Sequence, residues 1–195
     1  MSMTSATANL SNGPVAPRKA LFLDRDGVIN VDHGYVHRTD QVEFCAGIFD
    51  VVQRARGLGY AVVVVTNQAG IGRNLYTEAD FERLSAWMSA EFAGRGAPID
   101  RFYHCPFHPE HGVGEYRRDS PLRKPNPGML LLAAEELNLA LADSVMVGDK
   151  GSDILAGQRA GVARTIRVGR PGARDDIAAQ ADIVVDAVSD IAQYL

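Results

Sequence analysis

The 195-residue chain holds only two cysteines, Cys45 and Cys105. That is too few for a disulfide framework, so the sequence predicts a protein of a reducing compartment, the cytoplasm. Long apolar runs are missing too. None approaches the roughly 20 residues that span a bilayer, which predicts no membrane association. Positive charge is in short supply: 20 Lys and Arg stand against 24 Asp and Glu, a formal net charge of −4. This argues against bulk nucleic-acid binding, which wants a basic surface, yet leaves room for a small anion held by a few local cations. The opening stretch MSMTSATANLSNGPVAPR has no apolar segment of the kind a secretory signal needs, and its small polar residues predict a flexible tail over residues 1–18. With 46 % hydrophobic residues, residues 19–195 can bury one full core and are expected to form one domain.

What the chain does have is a set of short Val-rich runs separated by helical patterns. ALFLD ends at Asp24, YAVVVVTN at Asn67 and SVMVGD at Asp149; ARTIRVG ends at Gly169, and ADIVV lies near the C-terminus. Runs this continuous predict strands buried on both faces, as in a parallel sheet. IFDVVQRARGLG has apolar residues at helical spacing and a stop at Gly59. TEADFERLSAWMSAEF opens with a Thr77–Asp80 capping box, NPGMLLLAAEELNL with Asn126 as cap and Pro127 in the first helical position, and GSDILAGQRAG closes at Gly161. The stretch from Tyr103 to Pro125 has no period and reads as a long loop. The alternation predicts a three-layer α/β sandwich around a central parallel, Rossmann-like sheet.

Polar residues fall at informative places. Asp24, Thr66 and Asp149 each end an apolar strand, and open parallel sheets bind ligands outside those ends. Each alone reads equally well as a surface turn or a capped loop. Together, and with Lys124 inside RKPNPG, they point to a site. Asp24 and Asp26 flank Arg25, and two carboxylates that close call for a cation. A hard divalent ion and an ammonium group are the natural offset.

The segments DRDGVIN, VVVVTNQAG, LRKPNPG and GDKGSD resemble, in order and spacing, the four motifs of the haloacid-dehalogenase superfamily of phosphotransferases. DRDGVINVDHGYVHRTD and VTNQAGIGR resemble one branch, the D-glycero-D-manno-heptose-1,7-bisphosphate 7-phosphatases. The resemblance implies a Mg²⁺-dependent phosphatase acting on a small phosphorylated sugar; the short loop and single helix between the first two motifs leave no room for a cap domain, and a monomer is the default for a capless domain. The resemblance also implies Asp24 as nucleophile, Asp26 as general acid and base, and Thr66 and Lys124 on the phosphoryl oxygens. Mg²⁺ would be held by Asp24, Asp149 and the backbone carbonyl of Asp26. Asp153 either pairs with Lys124 or is a helix first-turn acid. By the same resemblance Asp32, His33, Gly34 and Tyr35 contact the sugar, Asn67 and Gln68 help position it, and Arg123 recognises a second anionic group. Lys150, next to Asp149, is a further candidate cation.

The chain departs from that branch in one place. Relatives carry a structural zinc on a Cys-x-His pair and a later Cys-x-Cys pair; here those positions read Cys105-Pro106-Phe107 and Ser120-Pro121-Leu122. His108 and His111 are nearby but do not complete a tetrahedral set. The expectation is a zinc-free loop held by packing of Pro106, Phe107, Pro109 and Leu122. The rival enzyme reading is histidinol-phosphate phosphatase, which shares the capless core and the RKP segment. A phospho-accepting receiver fits badly, because its acidic pair and acceptor sit on other strands. A non-catalytic phosphosugar-binding module leaves the filled reactive positions without a use, and a polynucleotide 3′-phosphatase lacks its basic stripe.

Overall fold

The computed structural model describes residues 16–169 and 177–195. Most of the expected tail, residues 1–15, lies outside the described residues. Arg18, expected in that tail, instead belongs to the domain: its backbone N–H donates to Asn138 and its carbonyl accepts from Ala140.

Six parallel strands form the sheet in the order β3-β2-β1-β4-β5-β6. They are β1 (Ala20–Leu23), β2 (Ala61–Asn67), β3 (Arg101–Cys105), β4 (Val145–Gly148), β5 (Arg164–Val168) and β6 (Ile183–Val185). The helices are α1 (Ile48–Gly57), the single turn α2 (Ala69–Gly72), α3 (Glu78–Gly94), α4 (Gly128–Leu137) and α5 (Gly151–Ala160). Strand alternation divides the core. Leu21, Leu23, Val62 and Val64 pack with α1 and the C-terminal segment on one face, while Ala20, Phe22, Val63 and Val65 pack against α4 on the other. Each fully buried aliphatic side chain stabilises this three-layer arrangement by about 1.5–3 kcal/mol. Among the described residues no helix is long and apolar enough to cross a membrane.

Two sequence expectations need correction. β3 begins the stretch read as a long loop; its burial alternates because it is the sheet edge, paired only with β2. Arg101 and His104 break its apolar run. The loop proper starts after Cys105. Helix α4 starts one residue later than expected, with Pro127 flanking it. Asn126 does not cap it; its Nδ2 donates to the Ser120 carbonyl at 2.9 Å. The Thr77–Asp80 capping box forms as expected, with Thr77 N 2.8 Å from Asp80 Oδ2 and Asp80 N 3.1 Å from Thr77 Oγ1.

The topology explains why separated motifs meet. β1 is flanked by β2 and β4, and Leu23 is level with both Val64 and Val147. Asp24 follows Leu23 directly, while Thr66 and Asp149 lie two residues past their registered partners. All three emerge at the same carboxyl edge.

Candidate active site

Lys124 is the hub of the site. Its Nζ lies 2.8 Å from Asp24 Oδ1, 2.7 Å from Asp153 Oδ1 and 2.8 Å from the Val65 carbonyl. Those three acceptors use all three ammonium protons, so Lys124 is a fixed charge as well as a donor. Burial pulls the ammonium pKa down, but Asp153 and Asp24 outweigh it and hold the group above its ordinary value. Asn67 clamps the backbone of this lysine: its Nδ2 donates to the Lys124 carbonyl and its Oδ1 accepts from the Lys124 N–H, both at 3.0 Å.

Asp24 is buried, and its Oδ1 also accepts from the Arg25 N–H at 2.8 Å. Both donors therefore bind the same oxygen and leave Oδ2 for other chemistry. Asp153 has both oxygens engaged, one by Lys124 and the other by the Lys150 N–H at 3.0 Å. Its expected pairing with Lys124 is thus present. Asp149 differs: its Oδ1 is buried without a hydrogen-bond partner. Burial, reinforced by the neighbouring Asp24 charge, pushes its carboxyl up to about 7.

Asp24, Asp149 and Asp153 each offer a carboxylate oxygen, all within 4.8 Å of one another. This oxygen-only set, with one orphaned buried oxygen, fits a hard divalent cation. Since both Asp153 oxygens are occupied, Asp24 and Asp149 have the free capacity to hold it. Gly27 is part of this cradle. At φ +94° it approaches so closely that a Cβ would stand 2.4 Å from Asp149 Oδ2.

Asp26 is held by three side chains. Arg25 reaches it through Nε (3.2 Å) and Nη2 (3.1 and 2.8 Å), Asn30 Nδ2 donates at 2.9 Å, and Gln68 Nε2 at 3.3 Å. Arg25 is 1 % exposed and also donates to the Val36 carbonyl at 2.7 Å, tying Asp26 to the loop that follows. Arg25 and Asn30 were not among the expected site residues. The signal for Arg25 was its position between two aspartates.

A cavity of about 250 Å³ opens beside Asp26, lined in part by Asp32, Gly34, Tyr35, Asn67, Gln68 and Lys150. The expected sugar-contacting residues are thus brought together, with two exceptions. His33 is exposed and turned aside, its Nε2 3.0 Å from Glu43 Oε2. Arg123 is not in the lining; its Nη1 donates to the Phe107 carbonyl at 3.2 Å. Lys150 Nζ pairs with Asp32 Oδ2 at 3.2 Å across the cavity. Tyr76 also lines it and had not been expected. A larger hollow of about 650 Å³, against Arg167 and residues 177–181, is mainly apolar and contains none of these groups.

In the loop after β3, Phe107 packs on Tyr116 with ring centres 5.8 Å apart, and the Arg118 guanidinium lies 4.0 Å over the Phe107 ring. His108 Nδ1 accepts from the Glu110 and His111 N–H groups at 3.2 and 3.1 Å, which occupies that ring nitrogen within its own loop.

A parallel sheet with Asp-x-Asp, Thr and Asp at the ends of adjacent strands, and Lys124 brought in from the loop before α4, around an oxygen-lined cation site defines a phosphoryl-transfer hydrolase of the haloacid-dehalogenase type. Residues 121–191 match the family described as HAD-hydrolase-like. The chain is 52 % identical to the D-glycero-alpha-D-manno-heptose-1,7-bisphosphate 7-phosphatase of Burkholderia mallei, over 91 % of this chain and 93 % of that one. It is 46 % identical to the D-glycero-beta-D-manno-heptose-1,7-bisphosphate 7-phosphatase of Vibrio cholerae, over 91 % and 96 %. Among solved structures, the D,D-heptose 1,7-bisphosphate phosphatase of B. bronchiseptica, complexed with magnesium and phosphate, superposes with a TM-score of 0.76 at 27 % identity, over 90 % of this chain and 97 % of that one. The chain belongs to the D-glycero-D-manno-heptose-1,7-bisphosphate 7-phosphatase family.

Proposed function

We propose that the protein is a Mg²⁺-dependent phosphatase that removes the 7-phosphate of D-glycero-D-manno-heptose 1,7-bisphosphate through an aspartyl-phosphate. The observation that carries this reading is the Lys124 ammonium seated between Asp24 and Asp153, with the orphaned Asp149 oxygen beside them.

Asp24 Oδ2 attacks phosphorus, and the bond from phosphorus to the sugar oxygen breaks. Asp26 gives that oxygen its proton. It then takes a proton from the water that hydrolyses the aspartyl-phosphate, which releases inorganic phosphate and restores Asp24. Thr66 donates its hydroxyl proton to a phosphoryl oxygen, and Lys124 supplies a fixed positive charge. When bound by Asp24, Asp149 and the Asp26 carbonyl, Mg²⁺ supplies positive charge against the repulsion between nucleophile and phosphate. Asp32, Tyr35 and Lys150 face the sugar, and Arg123 takes the second phosphate. Every one of these groups comes from a single chain, so a monomer suffices. The absence of a spanning helix among the described residues and the two free cysteines suit a cytoplasmic enzyme.

The test is phosphate release with Mg²⁺ from both anomers of the heptose bisphosphate, from histidinol phosphate and from simple sugar phosphates. The expected result is the highest kcat/KM on one heptose bisphosphate anomer, with the 1-phosphate retained, and loss of turnover in Asp24→Asn. A preference for histidinol phosphate overturns the substrate. Near-normal turnover in Asp24→Asn overturns the mechanism.

A further inference from the structure

Gln68 was expected to help position the sugar, but its amide is fully used in another way. The side chain is 2 % exposed. Its Nε2 donates to Thr66 Oγ1 at 2.8 Å and to Asp26 Oδ2 at 3.3 Å, while its Oε1 accepts from the Tyr76 hydroxyl at 2.6 Å. An amide oxygen only accepts, so Tyr76 must be the donor. Burial holds the Tyr76 phenol well above its ordinary pKa, so it keeps that proton at any working pH. The Tyr76 ring is fixed on both sides. It stacks on His37 with centres 4.9 Å apart and planes within 3°. On Gly70 it leaves no room: a Cβ there would stand 2.1 Å from Tyr76 Cε1.

We propose that Tyr76 is a positioning residue for phosphoryl transfer, acting through Gln68 on Thr66 and Asp26; the inference rests on the phosphatase reading above. The Thr66 hydroxyl has a single proton. Because Thr66 Oγ1 accepts from Gln68, its own O–H remains free to point at a phosphoryl oxygen. The Tyr76 hydroxyl and the Asp26 carboxylate favour the same amide orientation, Oε1 toward the phenol and Nε2 toward the carboxylate. Without the phenol proton, Oε1 is buried and unsatisfied. It regains a partner by turning toward Thr66, where it competes with the substrate for the Thr66 proton. The contact acts on a bond that matters most as charge moves onto the phosphoryl oxygens, so its loss falls on kcat rather than on KM.

The experiment is a double-mutant cycle of Tyr76→Phe and Gln68→Met, with phosphate release from heptose bisphosphate as readout. Tyr76→Phe keeps the ring between Gly70 and His37 and removes only the donor. The expected result is a kcat lowered about tenfold with KM within twofold, a comparable or larger loss in Gln68→Met, and no further loss when the two are combined. An unchanged kcat in Tyr76→Phe, a change confined to KM, or losses that multiply in the double variant overturns the inference. Should Tyr76→Phe fail to fold, Gln68→Met alone decides: a kcat loss of about tenfold at constant KM supports it and an unchanged kcat overturns it. Wild-type protein that hydrolyses p-nitrophenyl phosphate but not heptose bisphosphate overturns the substrate reading alone, and the cycle on p-nitrophenyl phosphate then decides the role of Tyr76. No hydrolysis of either ester overturns both.

Discussion

Asp153 Oδ1 lies 2.7 Å from Lys124 Nζ, and each side chain is 1 % exposed. A buried pair this dry is strongly destabilising to break, because the survivor keeps its charge without its partner. Asp153→Ala should therefore cost about 3–5 kcal/mol of folding stability, read by urea unfolding. Asp24 would then be the one carboxylate left on Lys124, beside the Val65 carbonyl, and kcat should fall with stability. Asp153→Asn preserves the shape and can still accept from the Lys150 N–H, so it should lose less. A loss under about 1 kcal/mol in Asp153→Ala would mean that water reaches the pair.

Asp149 makes the stability of the metal-free protein depend on pH. Its carboxyl is pushed up to about 7 by burial and by Asp24, against about 3.9 in an unfolded chain. Between those values the folded protein keeps a proton that the unfolded chain has released. The unfolded state then binds fewer protons at this site, so the Asp149 contribution to stability falls as pH rises from about 4 to about 7, by up to about 1.4 kcal/mol per pH unit. Mg²⁺ binds the ionised form and should reverse the trend. Thermal melts across this range, with EDTA and with Mg²⁺, check it. A metal-free melting temperature that rises from pH 5 to pH 7 contradicts the assignment.

Most of the fold was legible because β1, β2 and β4 are buried on both faces and so carry unbroken apolar runs. β3 escaped because the polar residues Arg101 and His104 interrupt its apolar pattern. Asp24, Thr66, Lys124 and Asp149 could be read because each sits at a strand end or within a punctuated loop. Arg25 and Tyr76 could not be assigned that way. Arg25 had a local signal in its place between two aspartates, but its bond to the Val36 carbonyl and that of Tyr76 to Gln68 depend on how the following loops fold back. His33 shows the opposite error. A residue inside a matching motif can point away from the cavity when a carboxylate such as Glu43 lies on the other side.

Arg123 bears on substrate choice rather than on chemistry. It stands one residue before Lys124, with Nη1 on the Phe107 carbonyl, so its guanidinium is steered by the loop after β3. Charge-assisted bonds to a phosphate contribute about 1.5–3 kcal/mol. Arg123→Ala should thus lower kcat/KM on heptose 1,7-bisphosphate about 10- to 100-fold and on heptose 7-phosphate less than threefold. Arg123→Lys should recover part of the loss, because it restores charge without the planar fork. Equal losses on both substrates would remove Arg123 from recognition of the second phosphate.

Gly27 offers the sharpest separation of metal binding from folding. Its φ of +94° lies where a side chain is strained, and a Cβ would sit 2.4 Å from Asp149 Oδ2 and 2.5 Å from Asp149 Cγ. The clash falls on one carboxylate rather than on the core, since the same methyl meets no other residue among its nearest neighbours. Gly27→Ala should displace Asp149 from the oxygen cluster it shares with Asp24. Mg²⁺ affinity, measured by calorimetry, should drop at least tenfold, and the Mg²⁺ concentration needed for half-maximal turnover should rise in step. Metal-free stability should fall by only about 1–3 kcal/mol, the usual range for a single strained backbone site. Unchanged Mg²⁺ affinity would show that the cation is held without Asp149, and the oxygen cluster would then lose its role.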